Sequence, residues 1–305
     1  MGGDAVEREG GIGMIPAAFA YDRASSVDEA LGLLVTHGAD AKIIAGGQSL
    51  LPLMKLRLAR PDRLIDIGRI DSLRGVRELP DGRLGIGSLM TYAQLLGDSR
   101  VTSLALMGDA LPRIADVQVR NRGTIGGAIA HADPAADMPA LLLALEAEVV
   151  AQSSNRGERV IPILEFFEGA FTTALQPDEL LTEIRLPAPS GSYGSAYQML
   201  EQPASGFAIA GVAAVIGQTG GGEGGAFDDV RVAVTGVGDA PYRATAVENA
   251  LRGTKLGSAA IGSAVAGICE GIDVQGDIHA DSTYRAAMAG VMARRALEAA
   301  QARLG

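Results

Sequence analysis

A chain of 305 residues with 48% apolar and 20% charged side chains is long enough for about two globular domains with sizeable cores. Its 26 basic and 36 acidic residues give a net charge of −10, which argues against nucleic acid, because phosphates select basic surfaces. In the sequence, no apolar run approaches the roughly 18–20 residues of a membrane-spanning helix, and the 41 glycines follow no three-residue period, which excludes collagen.

Cys269 is the only cysteine of the chain. One thiol cannot form an intramolecular disulfide, a thiolate zinc site or an iron–sulfur cluster, which takes about four cysteines. Any such cluster that works with this chain must therefore sit on another polypeptide. The lack of disulfides fits a reducing compartment such as the cytoplasm.

The first part of the chain reads as α/β. Residues 1–13 lack the basic and apolar regions of a secretion signal and are expected to be a disordered leader. Ser26 followed by Glu29 predicts a helix with a capping box. Further helices are predicted over 91–96 with Thr91 as cap, over 101–117, and after Asp137 as a short buried helix. Strands are predicted at 42–45, 63–68, 83–88, 148–152 and 179–187.

The second part reads as α+β. Its predicted strands, at 195–200, 207–217 and 230–235, all precede its predicted helices, at 245–251, 259–270 and 282–304. Pro187, Pro189 and Gly191 indicate a linker, and the glycine-rich stretch 220–225 a flexible hairpin tip. The expected domains are therefore 14–188 and 191–305.

Two paired-glycine segments are the candidate binding elements. Gly46 and Gly47 follow the predicted strand at 42–45, and Gly126 and Gly127 follow Thr124. Paired glycines predict tight turns whose backbone amides point inward and form an anion site without a lysine. Two such turns could hold the two phosphates of a dinucleotide, although either could also be a turn without a ligand.

Other common sites are not supported. Neither segment has the Gly-x-Gly-x-x-Gly pattern of nicotinamide-binding folds, and the sequence after Gly47 lacks the closing glycine of a hydrolase nucleophile elbow. His131, Asp133 and Asp137 could offer one nitrogen and two carboxylates to a metal, but no further ligand is near in sequence. Asp137 also stands where a helix begins, a position that favours a carboxylate. We predict no metal site and no catalytic acid or base on this chain.

Three longer motifs resemble a known family. They read AGGQSLLPLMK at 45–55, TIGGAIAHADPAAD at 124–137 and QPASGFAIAGVAA at 202–214. The chain is similar, from about Ile15 onward, to the FAD-binding medium subunit of molybdenum hydroxylases of the xanthine dehydrogenase and carbon monoxide dehydrogenase type. The resemblance implies a two-lobed FAD-binding domain of the vanillyl-alcohol-oxidase (PCMH) type, followed by a small domain with an antiparallel sheet and helices.

The resemblance also implies which residues contact FAD. Two groups match segments that hold the pyrophosphate and its neighbourhood: Ile43, Ile44, Ala45, Gly46, Gly47, Gln48, Ser49 and Leu50, and Thr124, Ile125, Gly126, Gly127 and Ala128. Three others match a ribose contact, a backbone contact and a flavin neighbour: Asp137, Ala115 and Leu181. Tyr197, the polar aromatic nearest to Met199, is a further candidate flavin neighbour.

Two positions depart from the family pattern. Ala128 stands where the motif often has asparagine, and Met199 stands where relatives commonly carry lysine. Losing that cation would weaken FAD binding or alter the flavin potential, which puts Met199 in doubt as a contact.

The implied function is electron transfer. In this family the substrate is oxidised at a molybdenum cofactor on a large subunit, [2Fe-2S] clusters on a small subunit carry the electrons, and FAD on the medium subunit passes them to quinone, NAD or oxygen. A dimer of heterotrimers is implied, in the cytoplasm or at the inner face of the membrane. Two alternatives stay open: a stand-alone FAD-dependent oxidase, and a non-catalytic assembly subunit with a vestigial nucleotide site.

Overall fold

The computed structural model describes residues 15–187, 191–218 and 226–304. The predicted leader at 1–13, Pro189 of the linker and the predicted hairpin tip at 220–225 lie outside the described residues. Within the described parts of the chain, no helix combines the length and the apolar character that crossing a membrane requires.

A small parallel sheet opens the fold. Its strands are β1 (Ala20–Arg23), β2 (Ala41–Ile44) and β3 (Arg63–Asp66), in the order β1-β3-β2. Helix α1 (Val27–His37) connects the first two strands and helix α2 (Leu50–Lys55) the second two. At the start of α1, Ser26 accepts a hydrogen bond from the Glu29 amide, but the Glu29 carboxylate binds Ser25 instead of Ser26. Only half of the predicted capping box therefore forms.

A five-stranded antiparallel sheet follows. Its strands are β4 (Val76–Glu78), β5 (Leu84–Gly87), β6 (Glu148–Ser153), β7 (Gly157–Pro162) and β10 (Glu179–Leu186), in the order β4-β5-β10-β6-β7. A short hairpin of β8 (Phe167–Gly169) and β9 (Thr172–Thr173) stands before β10. The predicted strands of this part are confirmed within a few residues, whereas β1, β4, β7, β8 and β9 were not predicted.

Six helices lie between β5 and β6. They are α3 (Tyr92–Leu96), α4 (Ser99–Thr102), α5 (Ala105–Ala110), α6 (Val117–Arg122), α7 (Ile125–His131) and α8 (Asp137–Leu145). Thr91 caps α3 with a complete capping box, as predicted. The predicted single helix over 101–117 is wrong. Leu104 is extended, Pro112 cannot continue a helix interior, and Asp116 accepts from the Val119 amide to start α6.

The C-terminal part is a four-stranded antiparallel sheet covered by helices, which confirms the α+β prediction. The strands are β11 (Ser192–Glu201), β12 (Ala208–Gln218), β13 (Asp229–Thr235) and β14 (Tyr242–Arg243), in sequential order. The helices are α9 (Thr245–Leu251), α10 (Ser258–Ala264) and α11 (Ser282–Gln301). Helix α10 ends earlier than the predicted residue 270, and β14 was not predicted.

Strand β11 joins the two parts of the molecule. Its successive side chains point to opposite faces, so Tyr197 and Met199 enter the core formed with α5 and α8, while Ala196 enters the core under α11. Asp109 of α5 accepts from the Tyr197 amide at 3.0 Å and pairs through both oxygens with Arg303. A shared core and these polar contacts hold the two parts against each other.

Candidate functional site

The loop between β2 and α2 carries a row of unused donors. Within the described chain, the backbone N–H groups of Gly46, Gly47, Gln48 and Ser49 have no hydrogen-bond acceptor. Gly47 has φ +73°, a left-handed conformation that glycine adopts without strain. The Gln48 side chain donates to the Gly46 carbonyl at 3.2 Å and so braces the loop from within. Successive free amides around a left-handed residue form a concave anion site.

This loop packs directly against the second glycine segment. A Cβ built on Gly46 would lie 2.0 Å from the carbonyl oxygen of Arg122 and 3.0 Å from the Gly123 Cα. Residues almost eighty positions apart in sequence therefore meet backbone to backbone. Only glycine at position 46 allows this approach, which brings the two predicted motifs together.

The second glycine pair is not a tight turn, which corrects the sequence interpretation. Gly126 and Gly127 lie in the first turn of α7, and Thr124 caps this helix by accepting from the Gly127 amide at 3.1 Å. The amides of Ile125 and Gly126 donate to the Met90 and Ser88 carbonyls at 3.0 and 2.9 Å. The amides of Ile125, Gly126 and Gly127 are thus used inside the protein, unlike those of the first loop, whereas the Thr124 amide has no acceptor among the described residues.

A third predicted contact is Ala115, which lies in a bend directly before α6. This residue has φ +46°, an uncommon conformation for a side chain with a Cβ. Arg120 holds the bend by donating from one guanidinium nitrogen to the carbonyls of Ile114 and Ala115, both at 2.8 Å. A Cβ on Gly206, in the third motif, would lie 3.2 Å from the Ala115 Cα. The role of Arg120 in this bend is not predicted from the sequence, because no local sequence pattern indicates the bend at Ala115.

Asp137 and Tyr197 form a buried pair between the two parts of the molecule. The Tyr197 hydroxyl donates a hydrogen bond to the Asp137 carboxylate. Tyr197 is 0% exposed and Asp137 is 5% exposed. Burial raises the pKa of Asp137 to about 6, although the Tyr197 bond acts in the opposite direction. Burial also raises the pKa of Tyr197 well above its ordinary value. The pair joins the start of α8 to β11.

Other predicted contacts lie around these elements. Met199 is buried, and its carbonyl accepts from Arg113 at 3.0 Å. Leu181 is buried in β10, and Ala128 is half-buried in α7. Ile43, Ile44 and Ala45 lead into the first loop, and Leu50 starts α2. The contacts of all these residues with FAD stay predictions.

His131, Asp133 and Asp137 each have a separate partner and do not form a cluster. His131 packs against Phe171 with ring centroids 5.1 Å apart and ring planes tilted by 46°, and burial lowers the pKa of His131. Asp133 accepts from the Ala135 amide, and Asp137 is bonded to Tyr197. Among the residues described, no three His, Cys, Asp or Glu side chains are grouped as a metal ion would need.

The donors of the first loop fit the FAD that the resemblance implies. Four free amides match the oxygens of a pyrophosphate, and backbone amides hold such groups in many nucleotide sites without a cation. The exposed Ser49 adds a hydroxyl next to them.

Comparisons with known proteins agree with this fit. A family model described as "FAD binding domain in molybdopterin dehydrogenase" matches residues 17–189, and one described as "CO dehydrogenase flavoprotein C-terminal domain" matches residues 195–300. The carbon monoxide dehydrogenase medium chain of Hydrogenophaga pseudoflava is 42% identical over 95% of this chain and 99% of its own length. The caffeine dehydrogenase subunit beta of Pseudomonas sp. (strain CBB1) is 38% identical over 95% and 97%.

Comparisons with solved structures indicate the same family. Carbon monoxide dehydrogenase from Hydrogenophaga pseudoflava superimposes with a TM-score of 0.90 at 43% identity, covering 95% of this chain and 100% of that one. Quinoline 2-oxidoreductase from Pseudomonas putida 86 gives a TM-score of 0.86 at 30% identity, covering 94% and 99%. The predicted fold class is confirmed by these matches.

Proposed function

Because this chain belongs to the family of FAD-binding medium subunits of molybdenum hydroxylases, we propose that it transfers electrons within a heterotrimeric complex. It would receive them from iron–sulfur clusters of a small partner subunit and deliver them to an external acceptor. The observation that carries this proposal is the loop of four free amides, at Gly46 to Ser49, packed against Arg122 and Gly123.

The chain's own task is to hold and orient the cofactor. FAD, when bound, supplies the redox chemistry, so no acid or base of this chain is required for it. We assign the pyrophosphate to the amides of the 46–49 loop, and the neighbouring groups to the α7 segment and the Ala115 bend. The fixed geometry of both glycine motifs and of the Arg120 contact supports this assignment, because a preformed site loses little entropy on binding.

The partners follow from what this chain lacks. Its single cysteine cannot ligate a cluster, and a small iron–sulfur subunit and a large molybdenum-cofactor subunit would supply the remaining centres. We propose a dimer of such heterotrimers that works in the cytoplasm, in keeping with the absence of disulfides. The membrane's inner face is an alternative location.

Substrate choice would lie on the large subunit. Relatives 38–42% identical to this chain carry the names of carbon monoxide, 6-hydroxypseudooxynicotine, caffeine and glyceraldehyde dehydrogenases. Similar medium chains thus occur in enzymes named for very different substrates, which supports a shared electron-transfer role.

The test uses the chain and its native complex. The purified chain, incubated with FAD and desalted, should keep flavin absorbance, and the native complex should contain molybdenum and iron. Loss of all flavin from a folded chain would overturn the proposal. Turnover of an organic substrate by the isolated chain would favour the stand-alone oxidase instead.

A further inference from the structure

The segment 55–60, which leaves α2, presents apolar side chains to solvent. Leu56 is 51% exposed and Leu58 is 72% exposed. Their backbone is nevertheless fixed: the amides of Leu58 and Ala59 both donate to the Leu53 carbonyl, at 2.9 and 3.2 Å. Arg57 is held at φ +62°, which a non-glycine residue keeps only where its surroundings impose it. The two leucines are therefore presented by an ordered surface.

The same segment carries unpaired positive charge. Lys55, Arg57 and Arg60 have neither an ion pair nor a hydrogen bond to their side chains within the described chain. Residues 50–61 contain no acidic residue, although the whole chain has a net charge of −10. Elsewhere most arginines pair with carboxylates, as Arg83, Arg159 and Arg243 do. Among the described residues Arg69, Arg122, Arg294 and Arg295 are likewise unpaired, and in segment 55–60 the unpaired cations flank two exposed leucines.

The segment also lies near the cofactor site. Helix α2 begins directly after the loop of free amides and is six residues long. At about 1.5 Å per residue, the segment starts about 9 Å further along the helix axis. A protein seated on the segment would be close to the bound cofactor.

We propose that segment 55–60 is a docking surface for the electron-donating partner subunit, which presents an apolar patch rimmed by carboxylates. The inference rests on the proposed function. Apolar centres with a charged rim are the usual anatomy of specific interfaces, and complementary charge speeds encounter and fixes register. A second copy of this chain fits less well as the partner. In a two-fold symmetric contact centred on this segment, Lys55, Arg57 and Arg60 of one copy would face the same cations of the other copy and repel them.

The test is a variant of the whole complex, purified through a tag on this chain. Leu58→Glu should keep the wild-type FAD content per chain and lose at least ten-fold of the co-purifying iron. The double variant Lys55→Glu/Arg60→Glu should lose iron in the same way, and release of iron from the wild type should rise with salt. The matched control is Leu164→Glu, since Leu164 is also exposed, at 53%, but in a different surface region.

The outcomes separate the two proposals. Iron retained by Leu58→Glu at the control level would overturn the docking surface and leave the proposed function standing. A wild-type chain that carries neither flavin nor iron would overturn the proposed function. Two other outcomes, each with unchanged iron content, would refute the inference. Loss of self-association in Leu58→Glu would assign the surface to a second copy of this chain. Binding of the wild type to phosphatidylserine vesicles that Leu58→Glu abolishes would assign it to a membrane.

Discussion

Replacing Asp137 by asparagine should make the protein more stable at neutral pH. The carboxylate is 5% exposed, and its pKa is raised from 3.8 to about 6, chiefly by burial. Asparagine has the same shape and can still accept the Tyr197 hydroxyl, but it carries no charge to desolvate. The substitution therefore isolates the free-energy cost of an ionised group in this core.

The magnitude and the pH window follow from the two pKa values. A gap from 3.8 to about 6, at about 1.4 kcal/mol per pKa unit, corresponds to about 3 kcal/mol. Because the folded-state pKa is the higher one, the stability from the protonated form is fully present below about pH 4. It is lost as the pH rises through 6. Asp137→Asn should match the wild type near pH 4 and exceed it by up to about 3 kcal/mol above pH 7.

Urea unfolding of the FAD-free chain between pH 4 and 8.5 measures this difference. Tyr197→Phe is the paired control: it removes the donor from the carboxylate, so its stability should fall more steeply with pH than that of the wild type. An Asp137→Asn curve parallel to the wild-type curve would show that ionisation of Asp137 does not cost folding free energy. FAD affinity, measured on the same variant, shows separately whether Asp137 contacts the ribose as the resemblance implies.

Two further substitutions test the candidate site. Gly46→Ala should lower FAD affinity at least ten-fold in a fluorescence titration, because its Cβ would lie 2.0 Å from the Arg122 carbonyl oxygen. The control variant Gly32→Ala, whose Cβ would have nothing within 4 Å, should bind FAD with wild-type affinity. Equal FAD affinities of the two variants would contradict the role of the 46–49 loop. Arg120→Met should lower the free energy of unfolding by about 1–3 kcal/mol and weaken FAD binding, since two carbonyls lose their donor. Its control, Arg252→Met, loses only an exposed contact with Asn249, and an equal effect of both would point to a nonspecific loss.

Local patterns in the sequence predicted most of the elements correctly. Helix α9 and the long strands β11 to β13 were predicted closely, because turn residues or a proline bound them and because β12 is a nearly continuous apolar run. The helix over 101–117 failed because its apolar residues do keep helical spacing. Pro112 is a sequence signal against a continuous helix, whereas nothing in the sequence marks the extended conformation of Leu104.

The site was harder to predict, because it depends on contacts between distant segments. Paired glycines predict a turn at Gly126 and Gly127, whereas Thr124, three residues before Gly127, is a typical helix cap and starts α7 there. The Tyr197–Asp137 pair joins residues sixty positions apart, and no local pattern indicates it. The same holds for the contact of Gly46 with Arg122.

The retention of FAD by the purified chain shows whether this chain is a flavin-binding subunit. About one FAD per chain should remain after desalting, and Gly46→Ala should retain far less although it stays folded by circular dichroism. A folded wild-type chain without flavin absorbance would contradict the assignment of the cofactor to this chain.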